Sequence, residues 1–221
     1  MITMNRMAAG LDFLFRYHNE GEELFGRIVT GGEKWVHHFT PEMKSASRQW
    51  VGEGDPRPVK AKRERSARKV NLTAFWDSEG ILLQEYSTST TNQHTYHDTL
   101  LRLRKAIQTK RPGKLSRTVV LLHNNATPHK ARKIQDLLRS FKWDVFPHPA
   151  HSPDLAPSDF HLFAHLHRWL GGRRFATNDD VSAGVREYFA SLDAQFYASG
   201  ISKLLYRYEK CLARQGDYVE K

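Results

Sequence analysis

The chain has 221 residues, of which 39% are hydrophobic and 11% aromatic, enough to bury the core of one large or two small domains. This composition excludes a disordered chain. The 34 Lys and Arg residues outnumber the 24 Asp and Glu residues, and the formal net charge of +10 favours a polyanionic partner, most simply nucleic acid. The single cysteine, Cys211, excludes a disulfide framework. No apolar run reaches the roughly 18 residues that a bilayer requires, so we expect an intracellular protein without a membrane partner.

The first half of the chain predicts one helix, several short strands and a long loop. Leu11, Leu14 and Phe15 share a helical face. Gly31 and Gly32 are expected to end the strand that precedes them. The polar stretch 40–69 contains three prolines and predicts a long loop, which is often functional in a compact domain. Strands are predicted over 27–30, 33–39, 70–76 and 81–86.

The second half alternates strands and helices and then becomes helical. The continuous apolar run 119–122 is typical of a strand covered on both faces. Pro128 is expected to open a helix, and Ser158 to cap another. Further helices are predicted over 96–107, 178–189 and 194–211, and a short strand over 144–146. This order predicts an α/β fold with a mixed sheet, antiparallel in its first half and parallel after the crossover helix.

The end of the predicted loop, residues 60–69, carries six positive charges and one negative charge. Two interpretations stay open: a solvated, mobile segment, or contact with DNA phosphates. Arg173 and Arg174 follow a helix end, where they either contact DNA or complement the helix dipole. The candidate DNA-binding residues are therefore Lys60, Lys62, Arg63, Arg65, Arg68, Lys69, Arg173 and Arg174.

Three segments carry a recognisable pattern. They read V-T-G-G-E-K-W over 29–35, L-L-H-N-N-A-T-P-H over 121–129 and S-P-D-L-A-P-S-D-F-H-L-F over 152–163. In this order they resemble the catalytic domain of mariner transposases, within the Tc1/mariner group. Its patterns are V-T-G-D-E-K/T-W, L-L-H-D-N-A-x-P-H and S-P-D-L-A-P-S-D-Y-H-L-F. The 34 residues between Asn124 and Asp159 also match the family spacing.

The resemblance implies an RNase H-like fold, a five-stranded mixed sheet flanked by helices. It assigns 1–24 to a residual interdomain linker helix and 25–221 to the catalytic domain. It implies DNA as substrate, transposition in the nucleus and no small-molecule substrate. The loop at 40–69 matches the segment with which the family clasps its partner subunit, so we expect a tendency to form homodimers.

The resemblance also implies a centre in which three aspartates hold two Mg²⁺ or Mn²⁺ ions. Here Gly32 and Asn124 match the first and second aspartates, and Asp159 alone keeps its acid. Of these positions, only Asp159 and Asn124 keep a side-chain oxygen for a metal. Glu33 cannot replace the first acid, because successive residues of a strand face opposite sides. We therefore expect weak metal binding and no cleavage at a useful rate.

Two other acids and the start of the chain complete the comparison. Asp77 and Asp154 lie at positions that are not metal ligands in the family. Family members carry helix-turn-helix modules before the catalytic domain, and we expect sequence-specific recognition of transposon ends to be missing here. We therefore expect that DNA is contacted through its phosphates and not read.

Three functional interpretations remain open. The first is a truncated, inactive mariner-type transposase domain from a decaying element. The second is a domesticated, non-enzymatic DNA-binding or interaction module. The third is a residual nuclease that depends on Asp159 and Asn124.

Overall fold

The structure is a computed structural model that describes residues 2–42, 64–123 and 131–220. Its strands are β1 (Ile28–His37), β2 (Lys69–Asp77), β3 (Gly80–Ser87), β4 (Val120–His123) and β5 (Asp144–Val145). They form one five-stranded sheet in the order β3-β2-β1-β4-β5. The pairs β1–β2 and β2–β3 are antiparallel, whereas β1–β4 and β4–β5 are parallel. The predicted change of direction within a mixed sheet is therefore confirmed.

Helices cover both faces of this sheet. They are α1 (Ile2–Glu20), α2 (Glu23–Arg27), α3 (Gln93–Lys110), α4 (Arg132–Ser140), α5 (Ala164–Leu170), α6 (Asn178–Ala190) and α7 (Ala194–Ala213). The described residues also contain two 3₁₀ turns, Lys114–Arg117 and Pro153–Leu155, and a π-helical segment, Ser158–Phe163. In the three described ranges, no helix combines the length and apolarity that a bilayer crossing requires.

The predicted strand break at Gly31 and Gly32 is wrong, because β1 runs through both glycines. Gly31 pairs with Phe75 and Gly32 with Ala74 on β2. A Cβ atom on Gly31 would lie 2.3 Å from Cδ1 of Phe75, so glycine here makes room for a buried ring. Glycine is a turn signal in sequence, but Gly31 lies within a strand and lets the Phe75 ring approach the backbone closely.

Two hydrophobic cores lie on the two faces of the sheet. One joins α1, α5, α6 and α7 to the sheet, and the other joins α3 and α4 to it. Along β4, Val120 and Leu122 enter the first core, whereas Leu121 enters the second. This alternation explains the continuous apolar run, because a strand between two helical layers is buried on both sides.

The two ends of the described chain meet in the first core. Ala9 and Phe13 of α1 are buried there, and the Phe13 ring stacks on Tyr208 of α7 with centroids 4.7 Å apart. The division into 1–24 and 25–221 stays a prediction, although α1 supplies core residues. The helix expected from Pro128 begins at Arg132 in the described chain, because Ala131 is still extended, with ψ at 139°.

Candidate active site

Gly32 lies in the middle of β1, on the face that carries the first core. A Cβ atom at this position would lie 3.1 Å from Cε2 of Phe163 and 3.3 Å from Cβ of Ser158. Both neighbours belong to the π-helical segment that also carries Asp159. The structure therefore places Gly32 against the helical segment that carries Asp159.

Asp159 is placed by the backbone of the turn before it. The amides of Asp159 and Phe160 both donate to the carbonyl oxygen of Ala156, at 2.9 and 3.0 Å. The Trp76 indole on β2 donates to Oγ of Ser158 at 3.1 Å and ties this turn to the sheet. The expected capping role of Ser158 is wrong, because the helix begins at Ser158 and its hydroxyl accepts from Trp76 instead.

The positive charge of Lys34 acts on the Asp159 carboxyl. Burial raises the pKa of the Asp159 carboxyl, and the positive charge of Lys34 acts in the opposite direction. Burial lowers the pKa of His167 on α5, and the charges of Lys34 and Arg65 lower it further. Lys34 thus acts on both Asp159 and His167, and no side chain in the described ranges donates a hydrogen bond to the Asp159 carboxylate.

The position that matches the family's second aspartate follows β4 directly. His123, the last residue of β4, pairs with Gly31 in the parallel register. Asn124 is the next residue and lies outside the described residues, as do Lys60, Lys62 and Arg63. The prediction that Asn124 joins Gly32 and Asp159 therefore stays a prediction.

The other acids near these motifs serve different purposes. Burial raises the pKa of Tyr96 well above its ordinary value, and the charge of Glu33 raises it further. Because Tyr96 belongs to the second core, Glu33 lies across the sheet from Asp159, as predicted. Asp77 is fully buried and forms ion pairs with Arg111 and Lys114 at 3.0 and 2.7 Å. Asp154 is likewise buried and paired, as described below.

The residues of the site do not fit a pair of divalent cations. Glycine at position 32 offers no side-chain ligand, and Lys34 places a positive charge near the one remaining carboxylate. Within the part of the chain that the structure describes, no group of three or more His, Cys, Asp or Glu side chains could hold a metal ion. Magnesium and manganese prefer several anionic oxygen ligands, which these residues do not supply.

An open cavity of about 410 Å³ adjoins the Asp159 carboxyl. Its walls come from the turn before Asp159 and from the C-terminal end of the chain. The lining residues are Pro153, Asp154, Asp159, Phe160, Tyr218 and Glu220. Of the two other acids in this lining, Asp154 pairs with Arg6 and Glu220 pairs with Arg207.

A basic edge lies where three backbone segments meet beyond the end of β1. The amide of His38 donates to Arg68 O at 3.1 Å, and the amide of Phe175 donates to His38 O at 2.8 Å. Segments 64–69 and 171–175 therefore flank residues 38–40. Arg65, Arg68, Lys69, Arg173 and Arg174, all predicted to bind DNA, are exposed on this edge.

Three of these cations are held against aromatic rings. Lys69 Nζ lies 4.4 Å from the ring centre of Trp35, and the guanidinium carbons of Arg173 and Arg174 lie 4.3 and 4.4 Å from the ring centres of Trp169 and Phe39. We call Lys69, Arg173 and Arg174 the stacked cations. Stacking orders a positive charge without neutralising it, and no carboxylate in the described ranges pairs with any of the three.

Sequence reasoning missed Lys34, His167 and the Trp76–Ser158 hydrogen bond. The position of Lys34 could have been predicted from the sequence, because a residue two positions after Gly32 on a strand faces the same side of the sheet. His167 and the indole contact depend on how α5 and β2 pack, which spacing alone does not reveal.

The mixed five-stranded sheet flanked by helices is an RNase H-like fold, and the helical segment that faces β1 carries Asp159. The sequence matches the family described as "Transposase (partial DDE domain)" over residues 40–117. The Mos1 transposase catalytic domain superposes with a TM-score of 0.81 at 36% identity, over 98% of this chain and 95% of that one. The chain therefore belongs to the mariner transposases and corresponds to their catalytic domain.

Two curated relatives extend the comparison. The mariner Mos1 transposase of Drosophila mauritiana is 41% identical over 88% of this chain and 56% of its own length. The human histone-lysine N-methyltransferase SETMAR is 30% identical over 97% of this chain and 31% of its own length. The Mos1 paired-end complex with the left transposon end superposes with a TM-score of 0.88 at 38% identity, over 99% of this chain and 63% of that one. The chain thus spans about half the length, or less, of these curated relatives.

Proposed function

We propose that this chain is a mariner-type catalytic domain that binds DNA through its basic edge, holds divalent metal weakly and does not cleave DNA at a useful rate. One observation carries the proposal. The side of β1 that faces the Asp159 segment presents Gly32, where the family has its first aspartate.

The charge balance supports the loss of activity. Two divalent cations bring four positive charges, and the site retains the single negative charge of Asp159 beside Lys34. A two-metal mechanism needs both ions to activate the nucleophile and to stabilise the leaving oxygen. With Gly32 and Asn124 in place of acids, the second ion has no anionic ligand among the three family positions.

The basic edge supports DNA binding. The chain carries a formal net charge of +10, and the stacked cations hold three of the positive charges at one edge. Contacts of this type release counterions from the phosphate backbone and do not read sequence. The Mos1 complexes with transposon ends support DNA as the ligand of this chain as well. We expect a nuclear location, where such DNA is found, and a tendency to form homodimers through the segment around 40–69.

The test compares four proteins in nicking and binding assays with Mg²⁺ and Mn²⁺ on DNA that carries transposon ends. They are the unmodified chain, its Asp159→Asn variant, the Gly32→Asp/Asn124→Asp variant and the latter combined with Asp159→Asn. We expect all four to bind DNA in a salt-sensitive manner and only the Gly32→Asp/Asn124→Asp variant to cleave. Robust, Asp159-dependent cleavage by the unmodified chain would instead establish the residual-nuclease interpretation. Binding that hardly changes with salt would contradict the role of the basic edge.

A second candidate function is a domesticated, non-enzymatic DNA-binding or interaction module. The match to SETMAR favours it, since the matching segment makes up about a third of a protein that is named as a histone-lysine N-methyltransferase. Comparison of copies of the locus from related genomes separates reuse from decay. Purifying selection on the coding sequence supports reuse, whereas neutral divergence supports a decaying element.

A further inference from the structure

A buried ion pair joins α1 to the turn that precedes Asp159. Arg6 of α1 is 1% exposed, and its two terminal nitrogens donate to the two oxygens of Asp154 at 2.7 and 2.6 Å. Asp154 lies in the 3₁₀ turn Pro153–Leu155 and is 5% exposed. A bidentate pair of this kind fixes both distance and orientation.

The same pair holds the C-terminal end of the chain. Arg6 also donates to the carbonyl oxygens of Gly216 and Asp217, at 2.8 and 3.1 Å. The amide of Val219 donates to the Asp154 carboxylate at 3.0 Å. Arg6 and Asp154 therefore tie residues 216–220, which we call the tail, to α1 and to the turn.

The turn and the tail together form the surroundings of Asp159. The turn runs into Ala156, whose carbonyl oxygen accepts the amides of Asp159 and Phe160. Tyr218 and Glu220 of the tail form the opposite wall of the cavity beside Asp159. Any movement of the Asp154 turn therefore moves the backbone that sets the position of the Asp159 carboxyl.

We propose that Arg6 is a positioning residue for the Asp159 site: through Asp154 it fixes the turn that carries Asp159 and the tail that closes the adjoining cavity. In this role Arg6 touches neither a metal nor DNA: it holds the turn through Asp154, and it holds the tail through Asp154 and through the carbonyl oxygens of Gly216 and Asp217. The functional part of the proposal rests on the proposed function, because metal binding is measured in the Gly32→Asp/Asn124→Asp variant. The structural part is measured in the unmodified chain.

The chain offers a matched control. Arg111 forms a bidentate pair with buried Asp77, with both distances at 3.0 Å, and ties the β2–β3 turn to the end of α3. Arg111→Lys therefore removes the same kind of interaction as Arg6→Lys at a different place. Asp154→Asn is the second variant at the proposed position, because it keeps an oxygen for the Val219 amide and removes the charge.

The experiment has two readouts. Hydrogen exchange in the unmodified background follows amide protection in residues 153–160 and in the tail, relative to β1 and β2. Electron paramagnetic resonance measures Mn²⁺ affinity in the Gly32→Asp/Asn124→Asp background. We expect Arg6→Lys and Asp154→Asn to lose protection in these two segments and to weaken Mn²⁺ binding about tenfold, as loss of an indirect support of a metal ligand does. Arg111→Lys, compared at matched thermal stability, should do neither.

Two results overturn the proposal. One is equal local protection and equal Mn²⁺ affinity in the Arg6 and Arg111 variants. The other is a loss of local protection with unchanged Mn²⁺ affinity, which would limit Arg6 to a structural role. If the Gly32→Asp/Asn124→Asp variant itself binds no Mn²⁺, the proposed function fails, and the exchange comparison alone decides whether Arg6 holds the turn.

Discussion

Restoring the lost acids should return metal binding and DNA cleavage to this chain. The perturbation is Gly32→Asp together with Asn124→Asp, with each single substitution for comparison. Gly32 faces the segment that carries Asp159, so an aspartate there adds a carboxylate on the same side of the sheet. The Asn124→Asp change converts a neutral oxygen into an anionic one at the second family position.

Two effects oppose each other: the steric cost of a side chain at position 32 and the attraction between the new carboxylate and a metal ion. A Cβ atom at position 32 would lie 3.1 Å from Phe163 and 3.3 Å from Ser158, so these neighbours must move by a few tenths of an ångström. We expect this to cost about 1 kcal/mol of stability. A carboxylate and one unit of positive charge 4 Å apart attract by about 4 kcal/mol at an effective dielectric constant of 20. That gain corresponds to roughly 10³-fold in metal affinity and exceeds the steric cost.

The assay pairs Mn²⁺ binding with nicking of DNA that carries transposon ends. Gly32→Ala is the matched control, because it adds the Cβ atom without the carboxylate. Adding Asp159→Asn to the Gly32→Asp/Asn124→Asp variant should abolish the restored activity. The reasoning is refuted if Gly32→Ala raises Mn²⁺ affinity as much as Gly32→Asp does. A Gly32→Asp/Asn124→Asp variant that binds DNA and metal but stays inert would show that the chain carries further damage.

Three further predictions follow from the described contacts. Gly31→Ala should lower the free energy of unfolding by at least about 2 kcal/mol, because its Cβ atom would lie 2.3 Å from the Phe75 ring. Urea unfolding measures this cost, and a cost no larger than that of Gly32→Ala would contradict the prediction. Burial lowers the pKa of His161 from 6.5 to about 4, against the hydrogen bond to Phe196 O, so the unfolded chain binds this proton at higher pH than the folded chain. This group should therefore lower the free energy of unfolding by up to about 3 kcal/mol as the pH drops from 6.5 to 4. His161→Gln should reduce the pH dependence of the free energy of unfolding, measured with urea, in this window, and the same change at exposed His94 is the control. Replacing the three stacked cations by Gln should reduce the slope of log affinity for DNA against log salt by about 2 to 3, and an unchanged slope would exclude them from the interface.

The fold was predictable where periodicity and strand length are informative. The mixed sheet follows from runs such as 119–122, which are typical of a strand between two helical layers. Most helices follow from the helical spacing of their apolar residues. The continuity of β1 through Gly31 was not predictable, because a glycine that ends a strand and a glycine that makes room for an aromatic ring look alike in sequence. Its role depends on Phe75, which lies far along the chain and reaches Gly31 only through the β1–β2 register.

The motifs predict which positions form the candidate site, but they do not predict which side chains surround those positions. The motifs place Gly32 and Asp159 together, and strand alternation correctly sends Glu33 to the opposite face. The contact between Arg6 and Asp154 spans 148 positions and carries no local pattern. Such a pair becomes visible only when α1, the turn and the tail are packed, because its partners are chosen by tertiary geometry.

In the proposed function, loss of cleavage and retention of DNA binding depend on different residues of this chain. Carboxylates that converge without a metal repel one another, so replacing two of three removes an unfavourable interaction from the folded state. Loss of the acids therefore carries no structural penalty that would remove the fold, and a preserved core is not a sign of preserved catalysis. The stacked cations lie around the C-terminal end of β1, on the rings of Trp35, Trp169 and Phe39. A protein with this site can lose its chemistry and keep its affinity for DNA.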